Sequence, residues 1–359
     1  MRAIIVLIMI CGWFAASGTV EVYGGEKMTS GASTVESRSF NVLNYGAVGD
    51  DKTDNTEAFS ACLKAVVEAG GGRMYLPDGV YRGKIIIPGT KKWITVEIVG
   101  QSEPTPVFGT IGSFPFQKNG TIVKSLSESG PAVISARNSP EKLYMPFSGV
   151  YVVIRNLDVR TYDNPGISGI DLSNAAQCKL ENVFVNTDGY NVVASKPSHG
   201  TRGIITPACN NAALTILRNV VVTGYHTGIL VNEHTDGDNI VVASNINGLE
   251  FLQAHHSSRF ARVGTYRNTH HIMVSGRHGF SIEQMNTEQP GKGQTNARNA
   301  WQTLVADIND SKNLGVADIN YWVVIGGVGA VDTFTMNGGA SIRARRVGSA
   351  PTGTQNTGE

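Results

Sequence analysis

The sequence predicts an all-β chain wound as a single-domain parallel β-helix with a helical cap at its N-terminal end. Three observations predict it. A short phrase recurs as Ile154-Arg155-Asn156-Leu157-Asp158-Val159, Leu180-Glu181-Asn182-Val183-Phe184-Val185 and Leu217-Arg218-Asn219-Val220-Val221-Val222. Its Asn-to-Asn steps are 26 and 37 residues, the period of stacked supersecondary units. Between residues 150 and 290 short β-branched runs alternate apolar and polar residues and end in Gly, Asn, Asp or Ser, with no long amphipathic helix. An Asn tolerates a left-handed bend better than most residues. Identical amides stacked coil on coil can form a hydrogen-bonded ladder.

Taken in order, the chain begins with Arg2 ahead of the apolar run Ile4 to Ile10, followed by the small residues Ala15, Ala16, Ser17 and Gly18. That reads as a signal peptide over residues 1–24, cleaved between 17 and 25, and so as a secreted, periplasmic or cell-surface protein. Cys11 opens a lipoprotein alternative, against which Ile10 stands where a small residue is needed. No other stretch is long and apolar enough for a membrane helix, so no membrane partner is expected after cleavage. Residues 25–39 read as a linker. Removing Cys11 leaves Cys62, Cys178 and Cys209, an odd number. Cys178 and Cys209 could pair on adjacent coils, or all three are small buried hydrophobes. The spacings resemble no zinc site.

The fold is expected over residues 40–347, with 40–82 as the N-terminal cap region. Phe40 to Ala47 reads as a strand entering a Gly turn. Asp54 and Glu57 form a capping-box-like start to a helix from Thr56 to about Ala69. Ala58, Phe59, Cys62, Leu63, Val66 and Val67 share one face of that helix, and Gly70-Gly71-Gly72 ends it. Asp50, Asp51 and Asp54 read as turn and cap residues. Residues 101–149 break the rhythm and read as an excursion from the coils. Strands at Trp301 to Asp307, Asn320 to Gly326 and Ser341 to Val347 are expected to cap the C-terminal end within 291–347. Residues 348–359 read as a disordered tail.

Residues 40–81, in the order strand, turn, GDDKTDNTEAF, helix, GGGRMYLPDGVY, resemble the opening of the pectate-lyase-like superfamily of right-handed β-helix proteins. That superfamily includes polygalacturonases, rhamnogalacturonases and phage tailspike depolymerases. The likeness implies a right-handed coil and explains the helix, which would cover the open strand edges and apolar core at one end. It concerns architecture and says little about chemistry.

The composition fits a folded chain, with 41% hydrophobic residues, 16% charged and 42 Gly. A formal net charge of +1 gives no global field for nucleic acid, which is not an expected partner. The expected partner is a polysaccharide.

Three segments resemble the polygalacturonase-type site, in the same chain order. They are Asn186-Thr187-Asp188-Gly189, Asp236-Gly237-Asp238-Asn239 and Arg277-His278-Gly279. The resemblance implies Asp188, Asp236, Asp238 and His278 as catalytic residues of a glycoside hydrolase with inverting stereochemistry, one carboxylic acid protonating the leaving oxygen and one carboxylate activating water. The segments stand 48 and 42 residues apart, about two coils each and so about 10 Å along the stack. A denser cluster surrounds them: His226, Glu233, His234, Glu250, His255, His256, Arg259, Tyr266, Arg267 and, from the pair His270-His271, His271. On one wall these residues would bind substrate, with carboxylates for hydroxyls, aromatics for sugar faces and Arg for uronate carboxylates. Two alternatives remain open. One is a lyase or epimerase on uronates, in which Asp236, Asp238 and Glu250 could hold Ca²⁺. The other is a β-helix that binds glycan without cutting it.

Overall fold

The structure is a computed structural model. It describes residues 38–104, 120–126, 130–139, 149–161, 166–187, 200–208, 215–252, 257–275, 279–288, 302–307, 316–325, 334–337 and 341–347. The expected signal peptide, most of the linker and the expected tail lie outside these residues.

Two parallel sheets carry the chain. The larger contains the long strands Ile94–Gly100, Val150–Arg160, Gln177–Asn186, Thr215–Thr223, Thr235–Ala243, Ser257–Tyr266, Gly279–Glu288, Val316–Ile325 and Ser341–Val347, each paired with the next. The smaller is a stack of short strands in chain order, running from Ile85–Ile87 through Ile170–Asp171, Arg202–Ile205, Thr227–Val231, Asn247–Phe251 and His270–Val274 to Phe334–Asn337. Each coil adds one strand to each sheet, which makes the molecule a right-handed parallel β-helix.

The recurring Asn sets the bend in each long strand. Asn156, Asn182, Asn219 and Asn239 have φ of 54°, 55°, 52° and 55°. Their amides form a ladder: Asn182 donates to Asn156 at 3.1 Å, Asn219 to Asn182 at 2.9 Å and Asn239 to Asn219 at 2.9 Å. Residues 236–239 are therefore the fourth rung of the repeat. Asp238 stands beside Arg218, and Ile240 beside Val220.

Residues flanking the bend alternate inward. Val183, Val185, Val220, Val222, Ile240 and Val242 are all fully buried. Across the core from them, the short strands present Gly169, Gly203, Gly228 and Gly248. A Cβ on Gly203 would stand 2.1 Å from Val222, so this column keeps the two sheets close. In the next coil the same position is His271, between the paired positions His270 and Ile272.

The helix α1 (Thr56–Glu68) buries Phe59, Cys62, Leu63 and Val66 against the first coils, with Ala58 and Val67 partly buried. Two local details differ from expectation. The opening strand stops at Asn41 and passes into a 3₁₀ turn, Val42–Tyr45, because the Asn41 side chain accepts the Leu43 N–H at 3.0 Å. The helix N-cap is Asn55, not Asp54, although Asp54 accepts the Thr56 N–H at 2.9 Å. Asn55 is fully buried and bonds instead to Val48, Thr53 and Arg82.

One larger expectation is also corrected: the stretch 101–149 rejoins the sheets at Thr121–Lys124 and Ile134–Ala136. The C-terminal strands extend both sheets in parallel register, Ile282 beside Ile319 and Ile319 beside Ala344. Cys178 is a buried free thiol bonded to Thr215, and its burial pushes it up to about 12. Cys209 lies outside the described residues.

Candidate functional site

The outer face of the long-strand sheet carries charges that are matched rung by rung. Arg155 reaches Glu181 at 3.1 Å and Glu97 at 3.6 Å. Asp236 is paired with Arg218 and, at 3.5 Å, with Arg259. Asp238 accepts two bonds from Arg262, at 2.9 and 3.2 Å. That hydrogen bonding holds the Asp238 carboxyl below the usual carboxylate range. A shallow depression opens here between Asp238, Ala261, Arg262, Glu283 and Gln284, and Glu283 in turn is bonded to Arg259. A general acid needs a raised pKa near working pH; Asp238 is shifted the other way, and Asp236 is tied into ion pairs. Asp236 and Asp238 are rungs of the repeat, each ion-paired to arginines of neighbouring coils, an arrangement that does not favour Asp238 as the general acid of a pair.

The outer face of the short-strand sheet is built differently. Arg202, Thr227, Asn247 and His270 stand side by side on successive coils. A second column runs Asp171, Ile205, Leu230, Glu250 and Met273. Glu250 ties three coils together, accepting from Thr227 Oγ1 at 2.7 Å and from Ser275 Oγ at 2.9 Å. Among the described residues it has no ion-pair partner. His270 Nδ1 lies 2.7 Å from Asn247 Oδ1. With the amide oxygen as acceptor, Nδ1 carries the proton and Nε2 keeps its lone pair. Burial, and then His226 in the turn before Thr227, lower the His270 pKa. The ring is therefore neutral at neutral pH.

The remaining sequence candidates scatter. His226 and Glu250 belong to this face. His234, partly exposed, sets its Nδ1 against the Ser257 carbonyl at 2.9 Å. Glu233 is fully buried in the same turn, and burial pushes its carboxyl up to about 7. Tyr266 and Arg267 are half-buried at the end of a long strand, Arg267 in a left-handed turn with φ 55°. Arg259 belongs to the paired long-strand face. His271 is corrected outright: it is fully buried in the Gly column, so it cannot touch a sugar. Burial pushes it down to about 3, and its Nε2 has no hydrogen-bond partner. Asp188, His255, His256 and His278 lie outside the described residues. Asp236 and Asp238 stand on one sheet and Glu250 on the other, so these three do not converge on a Ca²⁺, and among the described residues no His, Cys, Asp and Glu cluster does.

The sequence reading missed Arg202, Thr227, Asn247 and Ser275. A signal existed: each of Arg202, Thr227, Asn247 and His270 stands two before the Ile or Leu of a short strand, the first three just ahead of a Gly.

A family model described as rhamnogalacturonase A/epimerase, pectate lyase-like, matches residues 39–271. Alginate lyase 7 of Azotobacter vinelandii is 54% identical over 43 residues, 12% of this chain and 5% of that protein. Mannuronan C5-epimerase AlgE3 of the same organism is 51% identical over 43 residues, 12% of this chain and 2% of that protein. The chain thus matches only a small part of these relatives. Among solved structures, ORF18 of Geobacillus virus E2 is similar with TM-score 0.45 and 14% identity, over 87% of this chain and 62% of that one. The A-module of the A. vinelandii epimerase AlgE4 has TM-score 0.42 and 14% identity, over 89% of this chain and all of that one.

Proposed function

The chain belongs to the rhamnogalacturonase A/epimerase, pectate lyase-like family, and on that premise we propose that it removes the proton beside the carboxylate of a uronate in an acidic polysaccharide. That step is shared by a lyase and a C5-epimerase. The substrate would lie along the short-strand face, parallel to the coil axis. His270 Nε2 is the base: the Asn247 contact fixes its tautomer, and its lowered pKa keeps it unprotonated. Glu250, held between Thr227 and Ser275, is the second proton-handling group. It protonates the leaving oxygen in elimination, or returns a proton to the opposite face of the carbanion in epimerisation.

One observation carries this reading against hydrolysis by an Asp pair: among the described residues this face offers an oriented neutral imidazole, His270, and a carboxylate, Glu250, without a second beside it. Leu230 and Met273 occupy the Glu250 position on the adjacent coils. Asp171 is three strands away, about 14 Å at the spacing of neighbouring strands. An inverting pair needs about 6.5–9.5 Å. The names of the two curated relatives, an alginate lyase and a mannuronan C5-epimerase, support the same chemistry.

The test is a panel of uronate and neutral polysaccharides incubated with the full chain in D₂O. New ultraviolet absorbance from the double bond marks elimination, and deuterium incorporation without chain cleavage marks epimerisation. New reducing ends without absorbance or deuterium would sink the proposal and restore hydrolysis. Binding without any reaction would leave a glycan-binding β-helix.

A further inference from the structure

Arg202 differs from the other arginines of the coil faces. Among the described residues of the long-strand face the arginines are engaged: Arg155 with Glu97 and Glu181, Arg218 and Arg259 with Asp236, Arg262 with Asp238. Arg202 has no ion pair among the described residues. Its guanidinium makes a single bond, from Nη1 to the Gly200 carbonyl at 3.3 Å. Its Nε is shielded from solvent and has no hydrogen-bond partner. The weakly engaged Nη groups of this cationic fork are the ones a bound anion can reach.

The placement of Arg202 says where that anion would lie. Its strand neighbour is Thr227, the hydroxyl that holds Glu250, and two further strands along the same column is His270. Arg202 is thus about 14 Å from His270 along the coil axis, at about 4.8 Å per strand. A pyranose unit extends a polysaccharide by a similar length. A chain lying over the column therefore places over Arg202 a sugar two or three residues from the one that reacts.

We infer that Arg202 is a specificity-determining residue, a remote subsite that takes the carboxylate of a second uronate in a bidentate pair. This rests on the proposed function above. The subsite selects polymers with consecutive or near-consecutive uronates and rejects those whose carboxyls are esterified. Binding energy gained so far from the reacting sugar holds the chain in register over His270. Arg, unlike Lys, matches a carboxylate with two parallel N–H bonds.

The experiment measures binding and turnover of polymannuronate and polygalacturonate oligomers, each as free acid and as methyl ester. The full chain is compared as wild type, Arg202→Gln and Arg202→Lys. The wild type should prefer the free acid, and Arg202→Gln should lose about tenfold of that preference. The loss should appear in KM more than in kcat, and Arg202→Lys should restore part of it. Melting temperatures should agree within error, because the side chain has one weak bond to lose. A wild type that binds and acts with no preference for free acid, or a preference unchanged in Arg202→Gln, overturns this inference and leaves the proposed reaction standing. A wild type that binds no uronan in either form overturns both.

Discussion

The two outer faces of the β-helix use similar residues for opposite ends. On the long-strand face Arg, Asp and Glu are dense, and Glu97, Glu181, Asp236, Asp238 and Glu283 each sit against an arginine from a neighbouring rung. Among the described residues of the short-strand face the charges are few: Glu250 is held by hydroxyls rather than cations, His270 is neutral, and Arg202 is without an anion. Charge matched rung by rung is absorbed by the fold and has no capacity left for a ligand. Groups that are partly dehydrated, oriented and not neutralised are the ones poised for chemistry. Position in the coil decides the role of a residue more than its type does.

The largest expected effect is at His270. His270→Gln should lower turnover about a hundred- to ten-thousandfold, the usual contribution of a positioned base, while binding of the polymer survives. The pH profile sharpens the point. A base must be unprotonated, so activity rises with pH through the folded pKa of His270. Burial and His226 lower that pKa below 6.5, so the plateau should extend below pH 6.5. Asn247→Asp places a carboxylate against Nδ1, favours the imidazolium and should move the acid limb to higher pH. A limb that stays in place in Asn247→Asp would remove His270 from the reaction.

Next comes the ladder. Asn219→Ala deletes the amide bonds to Asn182 and Asn239 and leaves at φ 52° a residue without the polar side chain that lets Asn tolerate the left-handed bend. Together these should cost about 2–3 kcal/mol, read as a lower urea midpoint. Asn219→Gly, which tolerates the bend but still lacks the amide, should fall about midway. Equal losses in the two variants would mean that the bend contributes nothing.

His271 gives an effect that depends on pH. Its folded pKa of about 3 lies below the unfolded value near 6.5. The unfolded chain therefore binds the extra proton between those limits. The contribution is complete above pH 6.5 and is lost as pH falls towards 3, at about 1.4 kcal/mol per pH unit. Glu233, whose raised pKa works in the opposite direction, makes the difference between wild type and His271→Met the quantity to measure. That difference should shrink steadily from pH 6.5 to pH 4; if it is flat, His271 does not titrate in this window.

What the sequence made legible follows the same division. The bends at Asn156, Asn182 and Asn219 could be read because three rungs share one phrase. Asn239 could not, because Asp236-Gly237-Asp238 ahead of it resembles a catalytic segment. The helix and its apolar face were readable from a period of 3.6. The short-strand site was not, because Arg202, Thr227, Asn247 and His270 come together only once coils of unequal length are laid in register. Period-two alternation also hides which member of the pair His270-His271 faces out. The structure turns His270 to the surface and seats His271 in the Gly column, the reverse of the choice made from sequence.

Asp238→Asn is the smallest expected effect and the sharpest contrast with the first. By sequence resemblance it is a catalytic carboxylate whose loss should abolish turnover. In the structure it is one rung of an exposed pair with Arg262, and exposed pairs contribute little because water and salt screen them. The side chain points away from the short-strand sheet and reaches neither Glu250 nor His270. Asp238→Asn should therefore leave turnover unchanged and shift the melting temperature only slightly, less at high salt. Loss of turnover in a folded Asp238→Asn protein, beside an active His270→Gln, would reverse the assignment of the two faces and move the catalytic site to the ion-paired one.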